Sequence, residues 1–215
     1  MTRWKKANSG YVLKDYSTCK MKLIFATNNR HKADEIRSVL GNRPEIITLK
    51  EAGIDKDIPE PFHTLEKNAS AKSRTIFEMT GLDCFSEDTG LEVAALNGEP
   101  GVKSARYAGS HRSFDANIEK LLANLEGKPD RRARFRTVIS LLIAGKETRF
   151  EGICEGRIIE AKRGTLGFGY DPVFIPDGAE RTFAEMNMEE KNRYSHRKKA
   201  TAKLVAFLNS LSTNH

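Results

Sequence analysis

Four short segments of the sequence carry side chains whose types and spacing suit a ligand that is both anionic and aromatic. The first, Thr27-Asn28-Asn29-Arg30-His31-Lys32, lies between an apolar run and a stretch of helical spacing. A strand entering a helix exposes unpaired backbone N–H groups and the positive end of the helix dipole, which together attract anions. Lys32, in the first helical turn, can reach a phosphate held there. Asn tolerates left-handed backbone geometry, so Asn28 and Asn29 can make the tight turn such a loop needs. The GxxxxGK[ST] spacing of a Walker A loop is missing, and an ordinary strand-to-helix turn has the same look.

The second segment, Ser86-Glu87-Asp88-Thr89-Gly90, reads as an acidic turn behind an apolar strand end. Adjacent carboxylates in a tight turn repel each other unless a cation or solvent separates them. Magnesium takes one or two carboxylates together with substrate phosphate oxygens, so Asp88 plus a carboxylate from elsewhere suits it. Glu60, between Pro59 and Pro61, is the candidate partner. The third segment, Gly167-Phe168-Gly169-Tyr170-Asp171-Pro172, offers Phe168 as a stacking face and Asp171 as a hydrogen-bond acceptor. Stacking a base on such a ring is worth about 1–3 kcal/mol in nucleic-acid binders. The fourth joins Lys191 to Tyr194-Ser195-His196-Arg197. Lys and Arg are donors without acceptor capacity, suited to a carbonyl or phosphate oxygen, while Ser195 suits a helix N-cap. Taken singly, each segment also fits a plain turn or cap, and no Ser/His/Asp triad can be assembled from them.

These segments need a frame. The chain has 215 residues, 39% apolar and 30% charged, with 7 prolines and 16 glycines. That size and balance allow a buried core and exclude collagen-like, low-complexity and wholly disordered chains. The apolar run Val138 to Ala144 is far shorter than the roughly 20 residues of a membrane span. Lys and Arg total 36 against 29 Asp and Glu, a net charge of +7. Such a balance favours anionic partners without choosing between nucleic acid, membrane surface and nucleotide. Cys19, Cys84 and Cys154 form no CxxC pair, which points to reduced thiols in a cytoplasmic protein.

Lys22 to Thr27 reads as a buried strand, followed by a helix with apolar positions Ala33, Ile36, Val39 and Leu40 and a stop at Gly41. Glu45 to Leu49 completes a β-α-β opening, and a second helix spans Leu65 to Met79. Strand-like segments at Cys84–Phe85 and Leu91–Leu96 flank the acidic turn, and Ser113 caps a third helix. Arg134 to Ala144 and Thr148 to Ile159 pair around Gly145-Lys146. Val173 to Ile175 forms a further strand, and the last helix runs from Ser195 through Leu211. Interspersed helices and strands without a repeat or linker predict one α/β domain with a mixed sheet over residues 21–215. Met1 to Lys20 has no periodic pattern, no apolar signal core and no small-residue cleavage site. It is expected to be an extension outside the fold, with Met21 as the functional start.

The order of the segments is more specific than any one of them. Thr27-Asn28-Asn29 with Lys32, Ser86 to Leu91, Pro100-Gly101-Val102 with Ser104-Ala105-Arg106-Tyr107, Phe168 to Pro172 and Ser195-His196-Arg197 follow one another along the chain. Together they resemble the inosine triphosphate pyrophosphatase (XTP/dITP diphosphatase) family, from Met21 to about Leu211. The resemblance implies an elongated, twisted mixed sheet with flanking helices and two lobes around a central cleft. It implies cytoplasmic homodimers that hydrolyse ITP, dITP and XTP to the monophosphate and pyrophosphate with magnesium (Mg2+).

It also implies roles for residues. Thr27, Asn28, Asn29, Arg30, His31, Lys32 and Lys72 would bind the triphosphate. Asp88 would accept a proton and bind the metal with Glu60, and Thr89 would touch substrate. Phe168, Gly169, Tyr170 and Asp171 would hold base and ribose. Lys191, His196 and Arg197 would close over the base, Arg197 donating to its 6-oxo group. Two positions depart from the family pattern: Asn28 stands where glycine is frequent, and Glu87 where aspartate is usual, a side chain one methylene longer that would serve the metal either directly or through water. The alternative from another class is a non-enzymatic nucleic-acid-binding protein, motivated by the run Arg131, Arg132, Arg134, Arg136. No RRM, KH, zinc-finger or basic-zipper pattern supports it. A pyrophosphatase for other modified nucleotides is the nearer alternative; the main reading expects neither a membrane nor a specific nucleic acid as partner.

Overall fold

The computed structural model describes residues 22–40 and 44–212. The expectations for residues 1–20, for Met21 and for a helix stop at Gly41 lie outside the described residues. Lys22–Phe25 (β1) is covered on both faces, Leu23 and Phe25 packing into one apolar cluster and Ile24 into another. Continuous apolar sequence is what such a strand requires. It pairs in parallel with Glu45–Thr48 (β2) and with Cys84–Val93 (β3). Arg30–Leu40 (α1) links the first two strands and buries Ala33, Ile36 and Leu40, one face at helical spacing. Leu65–Thr80 (α2) leads into β3; Thr64 Oγ1 accepts the Lys67 N–H at its start, and Gly81 in the left-handed conformation ends it.

The rest of the sheet is antiparallel. Pro100–Gly101 (β4) is a short partner at the far end of β3. Arg132–Ile143 (β5) pairs with β3 on one side and Lys146–Ile158 (β6) on the other, and β6 carries Phe174–Pro176 (β7). The spatial order is β2-β1-β3-β5-β6-β7. Phe114–Asn124 (α3), capped by Ser113, packs on one half; α1 and His196–Ser212 (α5) pack on the other. A single-turn helix, Met188–Lys191 (α4), was not foreseen. Among the described residues, no helix is long and apolar enough to cross a membrane.

The two largest apolar clusters share the long strands. Phe85, Ile139 and Leu141 belong to the first, and Leu91, Val93, Ala133 and Phe135 to the second. Between them both strands turn polar, with Ser86 opposite Ser140 and Thr89 opposite Thr137. This polar waist is where the two lobes meet. It also corrects the reading of Ser86 to Gly90 as a turn, because β3 runs unbroken from Cys84 to Val93. A ladder partner for every residue on β5 overrides the local turn propensity. The chemical consequence is large: successive side chains on a strand point to opposite faces, so Glu87 and Asp88 are separated by the sheet itself.

Two further placements matter. The backbone of α5 rests on β6 at Gly152, where a Cβ would collide with the His196 carbonyl and the Ala200 N–H, so only glycine admits the helix this closely. The arginine run is paired within the chain: Arg132 with Asp130, Arg134 with Glu92, and Arg136 with Glu66, Glu92 and Glu151. Arg131 donates to the carbonyls of Leu125, Ile158 and Ile159. The feature that motivated a nucleic-acid reading is thus largely spent on internal contacts. Cys84 and Cys154 are buried free thiols, both pushed up to about 12 mainly by burial.

Candidate active site

The turn after β1 is built from side chains. Thr27 Oγ1 accepts the Asn29 N–H at 3.1 Å, and Asn29 Oδ1 accepts the Lys32 N–H at 3.2 Å, an N-cap for α1. Neither asparagine adopts a positive φ, so the expected left-handed turn is replaced by this capping. The turn borders two adjoining cavities, open to solvent, of about 780 and 870 Å³ including the solvent space at their mouths. Asn29, Lys32 and Glu60 line both; Thr27, Asn28 and Lys72 line one, and Thr89, Phe168, Gly169, Tyr170, Asp171, Lys191, His196 and Arg197 line the other with Asp88. The structure therefore brings most of the expected residues together. Arg30 and His31 are the exceptions: Arg30 is exposed beside Asp34, and the His31 ring lies on Phe168.

On one face of β3, Glu87 is fully enclosed. It accepts from Arg197 Nε at 2.7 Å and Nη2 at 3.0 Å, and Lys32 Nζ lies 3.1 Å away. Arg197 also donates to Glu35 and to Thr89 Oγ1. Glu35 in turn accepts from Lys191 Nζ at 2.6 Å, and Lys191 reaches Asp171 at 2.6 Å. Burial alone would raise the Glu87 carboxyl, but Arg197 and Lys32 outweigh it and hold the group far below the usual carboxylate range. Glu35 is likewise lowered, by Arg197 and Lys191 against the cost of burial. Asp171 moves the other way, because its complete burial and the nearby Glu35 outweigh Lys191. Glu87 is thus part of a closed charge cluster and has no free oxygen to offer a metal. Gly167 leaves the room that the Asp171 carboxylate occupies, and that carboxylate accepts the Phe168 N–H at 2.9 Å.

On the other face of β3 stands Asp88. Lys72 Nζ, projecting from α2, lies 3.5 Å from Asp88 Oδ1 and 2.5 Å from Glu60 Oε1. Arg106 contributes a further contact to Glu60 at 3.3 Å. Glu60 is held at about 2, the lysines overcoming its burial. Asp88 is raised instead: desolvation, with the neighbouring Glu60 charge, outweighs Lys72 and Lys32. Among the described residues, its Oδ2 is buried without a hydrogen-bond partner. Two carboxylates flanking one ammonium, with a further Asp88 oxygen unsatisfied, are a donor set that fits magnesium. Nearby, His196 is stacked on Phe135 at 4.7 Å; burial first, then Arg197 and Lys191, keeps its imidazole neutral, and its Nδ1 has no partner among the described residues.

Sequence reasoning passed over Glu35 and gave Arg106 no role. Arg106 lies inside a motif already singled out, but Glu35 is one acidic residue in a charged helix, and its partners are 156 and 162 positions away.

A model of the Ham1 family matches residues 23–207. The chain belongs to the Ham1 family. The dITP/XTP pyrophosphatase of Porphyromonas gingivalis is 53% identical over 188 residues, covering 87% of this chain and 97% of that protein. That of Christiangramia forsetii is 49% identical over 188 residues, covering 87% and 99%. Among solved structures, a HAM1 protein from Coxiella burnetii superposes with a TM-score of 0.81 at 36% identity, covering 88% of this chain and 99% of that one. The Staphylococcus aureus Ham1 protein gives 0.80 at 39% identity, covering 88% and 98%. The curled mixed sheet with flanking helices is therefore the Ham1 fold.

Proposed function

We propose that this Ham1-family chain hydrolyses deaminated purine nucleoside triphosphates to the monophosphate and pyrophosphate, with magnesium, and so removes them from the nucleotide pool. The observation that carries the reading is the open Glu60–Lys72–Asp88 group at the junction of the two cavities, with a buried Asp88 oxygen awaiting a partner. Glu60 and Asp88 would hold the magnesium, whose chemistry when bound would be to neutralise charge on the phosphate oxygens. Lys32, which borders both cavities, and Lys72, which borders one of them, add fixed positive charge. Asp88 orients a water molecule and takes its proton; the water oxygen forms a bond to the α-phosphorus as the α–β anhydride bond breaks and pyrophosphate leaves.

Base choice rests on the wall formed by α5. The guanidinium of Arg197 is committed to Glu87, Glu35 and Thr89, which argues against its serving as the main donor to the base. The first turn of α5 instead leaves backbone N–H groups at His196 and Arg197 without helical partners. These match a 6-oxo acceptor and not the amino donor of adenine, where each unsatisfied group costs about 1–3 kcal/mol. The buried His196 Nδ1 gains a partner from the base edge in the same way. On the family resemblance we extend the reading to a cytoplasmic homodimer with residues 1–20 outside the domain, consistent with a family match that begins at residue 23.

The test is pyrophosphate release from ITP, dITP, XTP, ATP and GTP with magnesium and with EDTA. Magnesium-dependent release from the first three and little from the others is expected. Equal rates on ATP would sink the base assignment, and release unaffected by EDTA would sink the metal.

A further inference from the structure

His31 sits in a segment of which Thr27, Asn28, Asn29 and Lys32 face the ligand cavities, yet it lines neither of them. Its imidazole is stacked on the Phe168 ring, centroids 5.1 Å apart and planes within 16°. Phe168 needs such a support. It is half-buried at the end of an exposed loop, residues 160–167, that carries no regular secondary structure. Its backbone is fixed by the Asp171 carboxylate, but this bond does not set the direction of the ring. The ring's other neighbours are Phe114, tilted at 6.1 Å, and the cationic heads of Lys191 and Arg197 at 5.3 and 5.6 Å. Of its aromatic neighbours among the described residues, His31 is the one whose ring lies parallel to it. Phe168 and Phe114 line the base-side cavity and His31 does not, so His31 backs the platform from outside the site.

We infer that His31 is a positioning residue: it fixes the Phe168 platform and ties base binding to the triphosphate turn. The tie is short, because Asn29 and Lys32, which border the phosphate-side cavity, flank His31 on the same turn. A triphosphate that orders this turn thereby orders the ring on which the base stacks. The inference rests on the function proposed above.

The experiment compares His31→Ala, His31→Phe, Phe168→Ala and the His31→Ala/Phe168→Ala double variant. For each, kcat and KM are measured on ITP, together with inhibition by inorganic tripolyphosphate, which has no base. An aromatic contact of this kind predicts a rise in KM of roughly two- to tenfold for His31→Ala, with kcat little changed. Tripolyphosphate inhibition stays as in the unsubstituted chain, His31→Phe restores KM, and His31→Ala adds nothing to Phe168→Ala. A parallel loss of tripolyphosphate affinity would make His31 a phosphate ligand and overturn the inference. Multiplying losses in the double variant, or no rescue by His31→Phe, would overturn it as well. If the unsubstituted chain fails to turn over ITP, the proposed function falls and this inference with it; with turnover intact, the variants judge the inference alone.

Discussion

The charge cluster around Arg197 and the one around Lys72 use the same residue types on opposite faces of β3, yet one is closed and the other open. In the first, Arg197 and Lys191 pair with Glu35, Glu87 and Asp171, and among the described residues no side-chain oxygen of these carboxylates is left buried without a partner. In the second, Lys72 is shared unequally between Glu60 and Asp88, and one Asp88 oxygen is left over. The electrostatics follow the geometry: Glu87 is driven down, Asp88 up. A saturated cluster holds the wall of the cleft in one shape. An unsaturated one stores unmet bonding capacity where a metal and a phosphate can use it.

The strongest way to break the comparison is to open the closed cluster. Arg197→Met strips both Glu35 and Glu87 of their main partner, and uncompensated buried charges cost about 3–5 kcal/mol; urea unfolding at neutral pH reads that loss. A change far below this range would mean that the cluster is wetter and looser than its geometry shows. Glu35→Gln comes next, with a loss of about 1.5–3 kcal/mol, the range for hydrogen bonds to charged groups. Its pH dependence sharpens the point. The folded Glu35 carboxyl lies below the ordinary value of 4.5, so its stabilisation is complete above that pH and is lost as pH falls below it. The stability gap between the original chain and Glu35→Gln should therefore close on acidification. A gap that widens on acidification would contradict the assignment. The smallest effect belongs to a surface pair: Arg134, 44% exposed beside Glu92, should cost less than about 1 kcal/mol on conversion to alanine.

Much of this arrangement could be read from the chain alone, for identifiable reasons. Periodicity located α2, and with it the caps Ser113 and Ser195, which act within three residues of themselves, located α3 and α5. The ordered motifs identified the walls of the cleft. What escaped depended on distant partners. The Ser-Glu-Asp-Thr-Gly stretch looks like a turn until β5 supplies its ladder, and with the strand comes the separation of Glu87 from Asp88. Glu35 is indistinguishable from a solvated helix residue until α4 and α5 fold over it. His31 looked like one more phosphate ligand, since nothing local says that Phe168, far along the chain, will lie against its ring.

Glu87 and Asp88 allow the most direct trial, because they are neighbours in sequence with the same charge and opposite surroundings. The decisive measurement is turnover of ITP at saturating magnesium, with the unfolding midpoint, for Asp88→Asn beside Glu87→Gln. We expect Asp88→Asn to lose about 10²–10⁴-fold in kcat with its midpoint unchanged or raised, since its charge is costly in the fold. Glu87→Gln should lower the midpoint, since its charge is held by Arg197 and Lys32. Full turnover by Asp88→Asn, or a midpoint as depressed as that of Glu87→Gln, would contradict the division between an open working site and a closed supporting one.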